Sequence, residues 1–115
     1  MHPYIEKIAT IGSAANPTFQ TLGIEPVSWG DGSAVLKMTV TPNLHTGVGF
    51  LQGGCYVILA DEAIALAVLA VAGDDEGTAT ISETTHFIRG VCEGEIYGVA
   101  RITRKGRRIV FAEGE

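Results

Sequence analysis

Residues 52–72 read Gln-Gly-Gly-Cys-Tyr-Val-Ile-Leu-Ala-Asp-Glu-Ala-Ile-Ala-Leu-Ala-Val-Leu-Ala-Val-Ala. Two glycines open the stretch, which is then apolar on every face of a helix except at Asp61 and Glu62. A surface helix needs a polar face, and this one has none. It must be enclosed by protein or by lipid. Two acids near its middle would be costly in lipid, and no Lys or Arg flanks it, so a membrane span is the poorer account. The stretch predicts one central helix over about 52–72, wrapped by a sheet.

The rest of the chain supplies strands. From His2 to about Ala14, Tyr4, Ile5, Ile8 and Ile11 form one apolar stripe behind Pro3, a short amphipathic helix. Asn16-Pro17 reads as a turn, and Phe19 to Trp29 as an irregular first strand with Pro26 at an edge or bulge. Gly30-Asp31-Gly32 is a hairpin signal. Ala34, Leu36, Met38 and Val40 then alternate with more polar neighbours, the cleanest half-buried strand in the chain. Residues 41–51 form a loop, and residues 73–77 an exposed acidic one. Three strand-like runs follow, at 78–89, 95–104 and 107–115, with Lys105-Gly106 as a tight turn. The last of them is either a short strand or one that continues in a longer protein. The order α-β-β-α-β-β-β with short connections implies antiparallel pairing. The fold class is α+β, a curled antiparallel sheet around one apolar helix, with residues 1–115 as a single domain.

Bulk properties narrow the function. A hydrophobic content of 46% with 18% charged residues excludes disorder. The net charge of −5 argues against a nucleic-acid partner. Cys55 and Cys92, with no export signal in view, suggest reduced thiols and a cytoplasmic protein. His2, His45 and His86 show no metal-ligand spacing, so no metal is expected. Gly47-Val-Gly49-Phe-Leu-Gln52-Gly53 nearly spells a dinucleotide fingerprint, but its third glycine falls one place late and no βαβ unit surrounds it. Cys55 with His86 is a formal nucleophile pair, though a buried structural Cys is the commoner case.

Two features carry chemistry. Asp61 has Val57, Ile58, Ile64 and Ala65 three and four residues away, all apolar. A carboxylate so placed needs a partner, a shifted pKa or a role; Glu62 is the lesser suspect. Gln52-Gly53-Gly54 places free N–H groups at a helix N-terminus, where they stabilise an anion or a developing oxyanion. One chain cannot bring both to one carbonyl. Gln52 and Asp61 are nine residues apart, about 13.5 Å along a helix and on opposite faces. A shared site therefore requires a symmetric dimer with two equal sites. Arg101, Arg104, Lys105, Arg107 and Arg108 gather around the last hairpin, either as a solvated turn or as a dock for a phosphorylated ligand.

The run Gly49-Phe50-Leu51-Gln52-Gly53-Gly54, continued through Leu59-Ala60-Asp61, resembles the hotdog-fold acyl-CoA thioesterases, above all the phenylacetate-pathway (PaaI-type) group. Thr84-Thr85-His86-Phe87-Ile88-Arg89 resembles that family's next strand. The resemblance covers most of the chain from about residue 20. It implies a hotdog fold and an acyl-CoA thioesterase acting on an aromatic or medium-chain thioester. No cofactor is implied, coenzyme A being part of the substrate. The implied assembly is a homodimer with interface sites, paired into a tetramer. In that family's terms the Gly53 N–H polarises the thioester carbonyl, and Asp61 of the facing subunit is nucleophile or general base. Thr80 falls where some members place a Ser that positions water. Gly54, Tyr56, Phe87 and Arg89 fall among the substrate-binding positions, and Arg104 and Lys105 beside the nucleotide phosphates. Two positions depart from the pattern: Gln52 stands where the family has His, and Thr46 where many members have Asn or Gln. Gln52 still donates a hydrogen bond but cannot titrate. The alternatives are a non-catalytic acyl-CoA binder and, less well supported without the His, a hotdog dehydratase.

Overall fold

The computed structural model describes residues 2–30, 32–70, 93–105 and 110–114, with residues 103–105 and 110–114 described by their backbone alone. The elements are α1 (Pro3–Ile11), a 3₁₀ turn (Gly12–Ala15), α2 (Pro17–Leu22), β1 (Ile24–Gly30), β2 (Ser33–Thr39), a second 3₁₀ turn (Pro42–Leu44), α3 (Gly53–Leu69), β3 (Glu95–Lys105) and β4 (Val110–Gly114). Among the described residues, four strands form one sheet in the order β1-β2-β3-β4, each pair antiparallel. Helix α3 packs on one face of this sheet, which is the helix-on-antiparallel-sheet architecture expected from the sequence.

The expected hairpin closes where Gly30 pairs with Ser33, and Gly32 takes a φ of 77° that few other residues tolerate. Ala34, Leu36 and Met38 of β2 are fully buried, as their alternation requires. From β3, Ala100 joins them while Ile96 packs at the edge of the core. The β1–β2 register shifts between Pro26 and Ser28, the bulge that Pro26 demands because it cannot donate to the ladder.

The N-terminal third differs from the sequence expectation. Helix α1 stops at Ile11 rather than Ala14, because Gly12 turns the chain with a φ of 57°. Asn16-Pro17 is not a turn and Phe19–Leu22 is not strand; these residues form α2. The same two residues start that helix. The Asn16 side chain accepts from the Thr18 N–H at 2.9 Å, Pro17 occupies the first helical turn, and Gly23 ends the helix in the left-handed region. Phe19 thereby becomes a fully buried core residue beneath the helices.

Among the described residues, the central helix is fully buried on one side only. Cys55, Leu59, Ala63, Leu66 and Ala67 are buried. Val57, Asp61 and Ala65, on the opposite face, are half-buried, and Ile58 is 37% exposed. The expectation of burial on every side is therefore corrected for the protomer. One sheet can cover only one face of a helix, and the apolar remainder is left at the protomer surface.

Helix and sheet meet most tightly at Gly98 of β3. A Cβ there would lie 3.0 Å from the Leu59 side chain and 3.1 Å from its carbonyl oxygen. The helix backbone cannot yield as a flexible side chain would. Gly98→Val should therefore destabilise the protein by about 1–3 kcal/mol or more through overpacking. Denaturant melts of both proteins check this, and an unchanged midpoint would contradict it.

Candidate functional site

Helix α3 begins at Gly53, with Gln52 as its N-cap. Gln52 is extended (φ −59°, ψ 133°) and its side chain does not cap the helix, so it leaves the first N–H groups of α3 to other acceptors. A short arch holds this turn in place. The Gln52 N–H donates to the Leu44 carbonyl at 2.8 Å, and His45 and Leu51 form an isolated antiparallel bridge. At the tip of the arch, the Thr46 N–H donates to the Phe50 carbonyl at 2.6 Å and the Gly49 N–H to the Thr46 carbonyl at 3.1 Å. The Thr46 hydroxyl accepts from the Val48 N–H at 3.3 Å. Thr46 thus braces the loop that delivers Gln52 and Gly53, and Gln52 and Gly54 are exposed at its end.

Asp61 lies two turns further along α3, about 12 Å from Gly53 at a rise of ~1.5 Å per residue. It sits on the helix face turned away from the sheet, among Val57, Ile58 and Ala65. The helix turn and the acid therefore belong to one rigid element but do not converge within the protomer. Tyr56 is half-buried and packs on the core. Cys55 is buried, and burial pushes its thiol pKa up, which suits a packing residue better than a nucleophile.

Glu62 has a task of its own. Asn16 Nδ2 donates to Glu62 Oε2 at 3.1 Å and to the Tyr4 hydroxyl oxygen at 3.0 Å. With its Oδ1 on Thr18, Asn16 ties α1, α2 and α3 together. Sequence reasoning passed over this cluster, because Asn16 and Glu62 are 46 residues apart. The legible signal was Asn-Pro before Thr-Phe, a helix-cap pattern rather than a turn. The adjacent acids are thus divided: Glu62 faces its own N-terminal helices and Asp61 faces outward.

Burial raises the Glu62 pKa; the Asn16 bond opposes this and the Asp61 charge adds to it. Tyr4 is also raised, by burial first, with Asn16 lowering it and the Glu62 charge raising it. A raised folded-state pKa means the native state holds the proton more tightly than the unfolded chain does. Ionised Glu62 therefore weighs against folding at neutral pH, and that weight disappears as pH falls below its ordinary value of 4.5. Glu62→Gln, which can still accept from Asn16, should be more stable than the wild type at pH 7. The gain is on the order of 1 kcal/mol or less because the group is half solvated. It should shrink toward acid pH in paired thermal melts, and a difference that does not vary with pH would contradict the assignment.

Arg104 and Lys105 fall on β3, but their side chains lie outside the described residues, as do Thr80, His86, Phe87, Arg89, Arg107 and Arg108. Among the described residues, no group of three or more His, Cys, Asp or Glu side chains could hold a metal ion. No described helix is long and apolar enough to cross a membrane.

Comparisons with known proteins point one way. A family model described as the Thioesterase superfamily matches residues 48–115, which include the glycine turn and Asp61. A 1,4-dihydroxy-2-naphthoyl-CoA hydrolase of Listeria monocytogenes is 39% identical over 57 residues, covering 50% of this chain and 46% of that protein. Among solved structures, a phenylacetic acid degradation-related protein of Ralstonia eutropha superposes with a TM-score of 0.86 at 26% identity, over 97% of this chain and 86% of that one. A thioesterase of Haemophilus influenzae shares the fold with a TM-score of 0.80 at 24% identity, over 86% of this chain and 69% of that one.

Proposed function

Because this chain belongs to the thioesterase superfamily and carries its hotdog fold, we propose that it hydrolyses an acyl-CoA thioester at two equal sites, each built across a homodimer. The observation that carries the reading is the outward placement of Asp61. It is a half-buried carboxylate on the apolar face of α3 opposite the buried residues that meet the sheet, about 12 Å from the glycine turn of the same helix. A second copy laid antiparallel would cover that face and bring each Asp61 toward the other chain's Gly53.

In the proposed site the thioester carbonyl accepts from the Gly53 N–H at the positive end of α3. Asp61 of the facing subunit takes a proton from water as the water oxygen bonds to the carbonyl carbon. The tetrahedral oxyanion is held by the N–H, and its collapse breaks the C–S bond. Coenzyme A leaves as the thiolate and takes up a proton, while Gln52 donates a hydrogen bond to the departing sulfur or the carbonyl without titrating. No cofactor enters the scheme. Arg104 and Lys105 are assigned to the nucleotide phosphates, and Tyr56, Phe87 and Arg89 to the acyl side and its approach. Thr80 is assigned to the attacking water.

An aromatic or medium-chain acyl group is the proposed substrate class. In support, one relative is named for a naphthoyl thioester and another for phenylacetic acid degradation. Free-thiol release measured across aromatic and medium-chain acyl-CoAs tests the reading, and turnover of at least one class is expected. The second reading, a non-catalytic acyl-CoA binder, is favoured by the untitratable Gln52 and by the Thr46 hydroxyl already engaged with its own loop. Saturable binding with no thiol release from any member would establish it.

A further inference from the structure

Every hydrogen-bonding group of Asn16 is engaged. Its backbone N–H donates to the Ser13 carbonyl at 3.1 Å, and its carbonyl accepts from the Gln20 N–H at 3.2 Å. Its Oδ1 accepts from the Thr18 N–H, while Nδ2 spends both hydrogens, one on the Tyr4 hydroxyl and one on Glu62. The amide therefore has one orientation. Turned over, it would set its oxygen against the Glu62 carboxylate and its NH₂ against the Thr18 N–H. This residue is also anchored to the rest of the fold. Ser13 Oγ donates to the Ile24 carbonyl of β1 at 2.9 Å, and Ile5, Ile8 and Phe19 bury α1 and α2 in the core. A continuous path runs from the sheet through Ser13 and Asn16 to Glu62, the residue next to Asp61.

The path matters because of how α3 lies on the sheet. Gly98 of β3 faces Leu59 and Ala63, and Ala67 is buried further along. Apolar burial of this kind is non-directional. It sets how closely a helix lies on such a small-residue surface better than how the helix is rolled about its own axis. A hydrogen bond demands an angle as well as a distance. A side-chain tip lies about 5–6 Å from a helix axis, so a roll of only ~10° moves it by about 1 Å. A displacement of that size at a reacting group costs up to about 10²-fold in rate. Glu62 also weighs against folding when ionised, because burial raises its pKa. An acid kept at a position where it lowers stability points to a task other than stability.

We infer that Asn16 is a positioning residue for thioester hydrolysis: through its bond to Glu62 it fixes the roll of α3 and so the direction in which Asp61 points. The inference rests on the proposed role of Asp61 as the base. Neither Asn16 nor Glu62 touches substrate; both act through the backbone of one helical turn.

Steady-state thiol release, resolved into kcat and KM, tests it on four variants. Asn16→Ser keeps an N-cap oxygen for Thr18 but has no second arm for Glu62, so α2 stays capped while the key is lost. Its kcat should fall about tenfold with KM little changed. Glu62→Ala should do the same, and Asn16→Ser with Glu62→Ala should be no slower than either alone, because both remove one interaction. Glu62→Gln keeps the acceptor and should retain most of the turnover. Thermal melts run beside the assays show that each variant is folded at the assay temperature. An unchanged kcat in Asn16→Ser, a loss confined to KM, or losses that multiply in the double variant would overturn the inference. If Asp61→Asn is inactive while Asn16→Ser is fully active, the inference falls and the role of Asp61 stands. If Asp61→Asn turns over like the wild type, or the wild type releases no thiol from any acyl-CoA, both fall.

Discussion

Asp61→Asn should abolish most thioester hydrolysis while leaving the protein folded and able to bind acyl-CoA. The expected fall in turnover is about 10²–10⁴-fold, the contribution typical of a positioned general base. The substitution keeps the side chain's shape on a half-buried helix position, so the melting curve should hardly move. It removes the basic oxygen that would accept the water's proton. Free-thiol release and equilibrium binding of an acyl-CoA, measured on the same preparation, separate the two effects. Retained wild-type turnover would remove Asp61 from the mechanism.

Gly53→Pro is the matching experiment on the other half of the site. Proline deletes the N–H assigned to the oxyanion and little else. Gly53 is the first residue of α3, the helical position where proline is best tolerated and where the missing donor has no intrahelical acceptor. The preceding Gln52 already has the extended conformation (φ −59°, ψ 133°) that a residue before proline must adopt. Stability should therefore be unchanged or slightly higher, since proline also narrows the unfolded ensemble. Turnover should fall by about 10²–10³-fold, as when a single oxyanion donor is removed elsewhere. A variant as active as the wild type would contradict the assignment, and a loss of helix content would show that the backbone argument failed.

How much of this was legible in the sequence depends on how local each signal was. The β2 alternation and the Gly30-Asp31-Gly32 hairpin needed only neighbouring residues, and both hold in the structure. The start of α3 at the glycine turn was equally local. Helix α2 was missed although its cap was present, because Asn-Pro serves both turns and helix starts and only the packing of Phe19 decides between them. Glu62 was set beside Asp61 as a lesser suspect. Its partner, Asn16, lies on another element and no sequence spacing announces it. Gly98 carried a weak signal, an isolated glycine inside a strand, which marks close backbone approach; the structure supplies Leu59 as the thing approached.

The candidate site was legible in composition and incomplete in geometry. The glycine turn and Asp61 were singled out from residue types and spacing, and helix periodicity alone showed that one chain cannot aim both at one carbon. The structure sharpens that argument by placing Asp61 on the face of α3 that the sheet does not cover. What no single chain displays is the facing surface. The Thr46 hydroxyl illustrates the same limit. The resemblance gives Thr46 a substrate-binding position, and in the fold the same hydroxyl also accepts from the Val48 N–H of its own loop.

The central claim is that each site takes Gly53 from one chain and Asp61 from the other. Mixing the Gly53→Pro and Asp61→Asn proteins tests it directly. Each parent is expected to be nearly inactive. In a hybrid dimer, the Gly53→Pro chain still offers Asp61 and the Asp61→Asn chain still offers Gly53. A crossed arrangement therefore rebuilds one intact site per hybrid, and random exchange should recover about a quarter of wild-type activity. If both groups served a site within one chain, every site in the hybrid would carry a lesion. A mixture in which hybrids form but thiol release stays at the level of the parents would contradict the account.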